Sequence, residues 1–307
     1  MQVRQCKSYY KGLSMMILLL CFMISEVDAR EVSMSYQGLQ VKANLEMAPG
    51  KKLTDGVILI NHGGLAHYGM ELIAYLQDQF KQRGYNTLAI SLSLGVSNRT
   101  GMYDCKDVHR HRHEDAVNEI EAWAQWLAKQ GVSRWVLLGH SRGGGQAALF
   151  ASKKNDPRLK ALVLMSPQTK DNGGSGYRQR YQKPLQPILD KARALIKSGK
   201  GDEVIEHANM MFCRDISVTA SSFVSYYGGD ASLDSPALIP KIKIPTLIIV
   251  AENDRVVIDL DKKLTPYLKK GSGAQMMLVD GSDHFYRDLN ADDAVDMIEP
   301  FLQELSF

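Results

Sequence analysis

Gly139-His140-Ser141-Arg142-Gly143 sets a serine between two glycines, each two positions away. The residues before it, Arg134 to Leu138, read as a buried strand, and those after it, Gly144 to Phe150, read as a helix. A serine in so tight a strand-to-helix turn needs small neighbours, because backbone passes too close for side chains. The turn lifts the hydroxyl above a sheet and aims a backbone N–H at a substrate oxygen, an arrangement suited to covalent attack on a carbonyl. A serine hydroxyl is a weak nucleophile at neutral pH, so it needs a base within reach and a carboxylate to orient that base.

Two later segments offer these partners. The apolar run Thr246 to Ala251 leads into Glu252-Asn253-Asp254-Arg255, and Gln275 to Val279 leads into Asp280-Gly281-Ser282-Asp283-His284-Phe285. Asp254 is the candidate acid and His284 the candidate base, in the chain order Ser, Asp, His. Glu252, Asp259, Asp230 and Asp234 compete for the acid's place, while Asp283 is expected to serve a turn. A second glycine turn, His62-Gly63-Gly64-Leu65, follows the run Gly56 to Ile60. The N–H of Gly64, or of Leu65, would join that of Arg142 in holding an oxyanion. The His62 side chain is expected to buttress this loop.

The elements that must position these residues recur along the chain. Glu31 to Met47 suggests an antiparallel hairpin. The continuous apolar run at 56–60 is of the kind found in a sheet covered on both faces, and 85–92, 134–138, 161–165, 246–251 and 275–279 read as further strands. Helical spacing falls at 69–83, 114–130, 258–270 and 291–305. Strands alternating with helices predict an α/β fold with a mainly parallel sheet. The stretch between Met165 and Ile244 is too long for a simple connection. It reads as an inserted, mostly helical lid over about 168–240, with a loop at 171–176 and helical patterns from about Pro187 to Tyr227.

Taken together, His62-Gly63-Gly64, Gly139-His140-Ser141-Arg142-Gly143, Asp254 and Asp283-His284-Phe285 resemble the α/β-hydrolase fold family over nearly the whole chain after the leader. The resemblance implies a mostly parallel sheet of about eight strands with helices on both faces, a lid above the strand edge, and no cofactor. It says little about the substrate, because this fold hosts many reactions.

The first thirty residues differ in kind. Arg4, Lys7 and Lys11 precede a short apolar run from Leu13 to Ile24, and Val27 and Ala29 fit the −3 and −1 positions of a cleavage site. Residues 1–29 are therefore expected to be a signal peptide, with 30–307 the exported domain, periplasmic or secreted. An uncleaved anchor is the alternative, though the run is short for a membrane span. Removing the leader removes Cys6 and Cys21 and leaves Cys105 and Cys213, an even pair expected to form a disulfide; two isolated buried thiols are the alternative. A formal net charge of +3 over 307 residues does not point to nucleic acid or an anionic membrane as partner.

Two further clusters invite function. His109, His111 and His113 alternate with arginines, which suggests either a metal site or a solvated loop; the arginines and the missing ligand set favour the loop. Tyr177-Arg178-Gln179-Arg180-Tyr181 is the most basic part of the insertion and reads as a solvated helix start or an anion-recognition patch, the former favoured. Met210, Met211 and Phe212 would floor an acyl pocket or pack the insertion down. The expectation is an exported serine hydrolase acting on a small ester or acyl substrate. An aminopeptidase-like enzyme would need carboxylates for a free amine, for which Asp190, Asp202, Glu203 and Glu206 are candidates. The same fold could also serve an acyltransferase or a non-catalytic binding protein.

Overall fold

Each buried strand of the central sheet feeds two cores at once, which explains the unbroken apolar runs. In β3 (Val57–Asn61), Val57 and Leu59 join one cluster while Ile58 and Ile60 join the other. The computed structural model describes residues 30–170, 174–268 and 273–307. The expected signal peptide, with Cys6 and Cys21, lies outside the described residues, as do 171–173 of the expected loop and 269–270 of an expected helix.

The chain opens with an antiparallel hairpin of β1 (Arg30–Tyr36) and β2 (Leu39–Glu46). After β3 come α1 (Glu71–Gln82), β4 (Asn86–Ser91), α2 (Asp115–Lys129), β5 (Trp135–His140), α3 (Arg142–Lys153) and β6 (Leu159–Met165). An inserted segment follows, with α4 (Ser175–Tyr181), α5 (Gln186–Lys197), β7 (Val204–Met210), β8 (Cys213–Thr219), α6 (Ala220–Tyr227) and α7 (Ser235–Leu238). The main body resumes with β9 (Thr246–Ala251), α8 (Leu260–Leu264), β10 (Ala274–Val279) and α9 (Asn290–Glu304). The eight-stranded sheet runs β1-β2-β4-β3-β5-β6-β9-β10, parallel from β4 to β10. This is the α/β architecture expected from the sequence.

Residues of α1 (Ile73, Leu76, Phe80) and α9 (Val295, Ile298, Leu302) pack on one face. Those of α2 (Ile120, Trp123, Leu127) and α3 (Ala148, Leu149) join the core on the other, together with buried residues of the insertion. Covering both faces leaves the C-terminal ends of the parallel strands as the open rim where loops meet, the usual place for a site in such sheets.

The structure departs from the sequence reading in three places. The insertion is not helical throughout 187–227, since β7 and β8 form a separate antiparallel ribbon within it. The helix expected over 258–270 shrinks to α8 and a single 3-10 turn, Thr265–Tyr267; Pro266 cannot donate the N–H that continuing the helix requires. The histidines at 109, 111 and 113 are buried and do not form a solvated loop. There the extended backbone turns alternate side chains inward, and it bonds to β8 through His109 N–H to Ser217 O (2.9 Å) and Thr219 N–H to His109 O (3.0 Å).

Candidate functional site

Ser141 follows β5 directly, with φ 57° and ψ −123°. This backbone conformation is unfavourable for a residue carrying a Cβ. It persists because the turn is clamped between packed backbones. A Cβ on Gly143 would lie 2.2 Å from the carbonyl oxygen of His62, and one on Gly139 would lie 2.4 Å from that of Gly143. Only glycine fits at either place, as the sequence reading required.

The partners come from β9 and β10, the second and third strands along the sheet from β5. Asp254 stands three residues past β9 and His284 five residues past β10. Ser141 Oγ–H lies 2.8 Å from His284 Nε2, and His284 Nδ1–H donates to Asp254 Oδ2 at 2.7 Å. Both side chains of the His284–Asp254 pair are nearly closed to solvent, at 4% and 3% exposure. The other oxygen of Asp254 accepts the backbone N–H groups of Val256 and Val257, each at 2.7 Å. Burial raises the Asp254 pKa, but the hydrogen bonds from His284 and these amides outweigh it, so the carboxyl ends below its ordinary value and stays ionised.

The competing acids are occupied elsewhere. Glu252 accepts the Gly281 N–H, Asp259 pairs with Lys262, Asp230 caps the Ser232 N–H, and Asp234 accepts the Lys170 N–H. Asp283 accepts the Phe285 N–H and meets Arg287, as a turn residue would.

Across Ser141 lies the glycine turn after β3. Gly64 has φ +47°, and a Cβ there would strike the Phe212 ring at 2.9 Å. As the first residue of α3, Arg142 has an N–H with no helical acceptor behind it, at the positive end of the helix dipole. Gly64, Ser141 and Arg142 all line one cavity of about 640 Å³. His62 supports the loop from beneath: its Nε2 accepts the Leu92 N–H at 3.0 Å and lies 3.1 Å from Arg99 Nη2. Receiving two donors requires a neutral ring, in line with a pKa pushed well below its ordinary value by burial and by Arg99. Arg99 in turn donates to the carbonyls of Leu92, Ala66 and Gly101, tying both ends of the loop.

The residue before the serine has a role that the sequence reading missed. His140 Nε2–H donates to the carbonyl oxygen of His284 at 2.8 Å. Burial lowers its pKa to about 3, which keeps the ring neutral and able to hold the backbone of its neighbour. Its position beside Ser141 was the only available hint.

Residues of the insertion supply much of the cavity's lining. Cys105 and Cys213 are joined by a disulfide with Cα atoms 5.4 Å apart, fixing the tip of the β7–β8 ribbon to the loop after β4. Met211 and Phe212 line the cavity, whereas Met210 is buried in the core. In α4, Tyr177 and Tyr181 are buried, Arg178 is exposed, and Arg180 lines the cavity. The buried histidines pack around Tyr103 and Tyr226, with His111 Nδ1 2.8 Å from Tyr226 Oη and His109 Nδ1 3.2 Å from His111 Nε2. No group of three histidine, cysteine or acidic side chains suited to a metal ion occurs among the described residues. Nor is any helix among them long and apolar enough to cross a membrane.

Comparison with known proteins places these residues in context. The sequence profile of the family described as serine aminopeptidase, S33, matches residues 52–285. Phospholipase YtpA of Bacillus subtilis (strain 168) is 24% identical over 213 residues, covering 66% of this chain and 76% of that protein. Among solved structures, Est1E from Butyrivibrio proteoclasticus with ferulic acid bound aligns at a TM-score of 0.64 and 18% identity, over 89% of this chain and 98% of that one. The α/β hydrolase GrgF from Penicillium sp. sh18 aligns at 0.63 and 15%, over 91% and 98%.

Proposed function

The chain belongs to the S33 serine aminopeptidase family of α/β-hydrolases, and on that premise we propose that it is a serine hydrolase of carboxylic esters working through an acyl-enzyme. The observation that carries this reading is the unbroken line from Ser141 through His284 to Asp254 at 2.8 and 2.7 Å. His284 takes the Ser141 proton as the oxygen attacks the carbonyl carbon, and Asp254 holds the tautomer and stabilises the imidazolium that forms. The amides of Arg142 and Gly64 receive the oxyanion. His284 then passes its proton to the departing alcohol, and a water activated by the same ring releases the acyl group. No cofactor is called for in any step.

The cavity supports an ester over an aminopeptide substrate. Of Asp190, Asp202, Glu203 and Glu206, none lines it, and the one carboxylate among its described lining residues, Asp259, is paired with Lys262. A free ammonium group would meet cations there instead of acids. The phospholipase name of the Bacillus relative and the ferulic acid bound to the Butyrivibrio protein agree with an ester-type carbonyl.

A fluorophosphonate probe should label the wild type and leave Ser141→Ala untouched; equal labelling of the two rejects the assignment. p-Nitrophenyl esters of graded chain length then report the depth of the acyl pocket. We further propose that residues 1–29 are removed on export to an oxidising compartment, where the Cys105–Cys213 disulfide persists. N-terminal sequencing of the exported protein should begin at Arg30, and a chain beginning at Met1 overturns this.

A further inference from the structure

The residue after the nucleophile carries a charge that the proposed ester chemistry does not use. Arg142 contributes its backbone amide to the oxyanion site, yet its side chain makes no hydrogen bond or ion pair among the described residues. Its Nη1 is closed to solvent and has no partner among the described residues. The guanidinium carbon lies 4.8 Å from the centroid of the Tyr226 ring, and both residues line the cavity. The side chain as a whole is half-buried, and a ring face offers a guanidinium only part of what water provides, so it is left short of partners. Burial lowers its pKa, and nearby Arg180 acts in the same direction.

The rest of the cavity repeats the sign. Lys170, Arg180, Arg255 and Lys263 also line it, against Asp259 as the one carboxylate among the described residues, and Asp259 is held by Lys262. Arg180 is committed to the Met211 carbonyl (2.7 Å) and the Phe212 ring, and Lys263 to Thr169 Oγ1 (3.1 Å). The Lys170 and Arg255 side chains have no such bond among the described residues either, but Arg142 alone adjoins Ser141 in the chain, and its planar fork of donors is unclaimed. That fork matches the paired oxygens of an oxyacid.

We propose that Arg142 binds an anionic oxyacid group, a carboxylate or a phosphate, carried by the substrate within a few bonds of the scissile carbonyl. The inference rests on the serine-hydrolase reading and narrows its substrates from esters in general to anionic esters. A ligand oxygen pair in the cavity would give this guanidinium the partner it lacks, and the collar of lysine and arginine side chains would draw the anion in.

Four substrates test it: mono-p-nitrophenyl adipate against p-nitrophenyl hexanoate, and 1-butyrylglycerol 3-phosphate against 1-butyrylglycerol. The first pair places a carboxylate on the acyl side, and the second places a phosphate on the alcohol side. The wild type should prefer the anionic member of at least one pair by tenfold or more in kcat/KM, and the preferred pair names the group. Arg142→Gln should reduce that preference at least tenfold, while R142K, which keeps the charge and loses the fork, should fall between. A wild type that hydrolyses neutral esters with no preference for either anion overturns the subsite, whether or not the variants fold, and leaves the hydrolase reading standing. A preference that survives intact in a folded R142Q overturns it equally. A protein that hydrolyses none of the four and ignores fluorophosphonate removes the hydrolase reading and the subsite with it.

Discussion

On the His284 side of Ser141, the polar groups are matched: His284 is bonded at both ring nitrogens and at its carbonyl, and Asp254 at both oxygens. On the opposite side, toward the insertion, the buried atoms His113 Nδ1, His113 Nε2, His109 Nε2 and Arg142 Nη1 have no partner among the described residues. Both clusters are closed to water and both are rich in histidine, so composition does not separate them. The difference lies in what each neighbourhood is asked to do. A fully bonded network holds one geometry and one protonation pattern, which is preorganisation for a charge that develops during reaction. Unpaired buried histidines make the fold less stable and are held neutral chiefly by desolvation, with the Arg142 charge adding to it at His113.

If the matched side carries catalysis, changes there should dominate activity. Ser141→Ala is expected to lower kcat by on the order of 10⁴ or more. Asp254→Asn leaves the shape and inverts the hydrogen bond, so a loss of roughly 10³ to 10⁴ is expected from the wrong tautomer of His284. Both are read from steady-state kinetics on one ester. His140→Leu should act through the backbone of His284, with a smaller fall in kcat than either and KM little changed. If it matches the Asp254→Asn loss, His140 does more than position its neighbour.

The unmatched side should announce itself in stability. Reducing the disulfide, or replacing both cysteines by serine, releases a closure of 108 residues and is expected to cost roughly 2–5 kcal/mol, measured by chemical denaturation. Burial lowers His113 to about 3 and His109 to about 4. Both lie below the ordinary value of 6.5, so the unfolded chain binds more protons below that pH. This part of the stability is complete above pH 6.5 and is lost as the pH falls toward the folded values. At pH 4.5 the loss from His113 is roughly 2–3 kcal/mol. His113→Phe removes that titration, and its melting temperature should fall less steeply with acid than that of the wild type. Equal slopes would show that His113 is already charged in the fold.

What the sequence made legible follows the same division. The central strands and α1, α2, α3 and α9 could be read because each buries an apolar face with regular spacing. The line of Ser141, Asp254 and His284 could be read because each sits just past such a strand. The β7–β8 ribbon was hidden because His207 and Asp215 take φ of 58° and 53°, and the register shifts between Ile205 and Met210. Each irregularity breaks the alternation of faces that marks a strand. The burial of His109 to His113 was hidden for another reason: it depends on β8, Tyr103 and Tyr226, the nearest of these to the run lying outside it in sequence and the others about a hundred residues away. Arg142 stood in plain view, but the loneliness of its guanidinium is a property of three dimensions.

The φ of 57° at Ser141 sets working and lasting against each other at a single position. A glycine there would relax the backbone, and Ser141→Gly is expected to be inert yet more resistant to heat by about 1 kcal/mol at the midpoint. Every sturdier replacement at this site is a step toward silence, so a screen of this enzyme that rewards only thermal endurance would enrich for its dead variants.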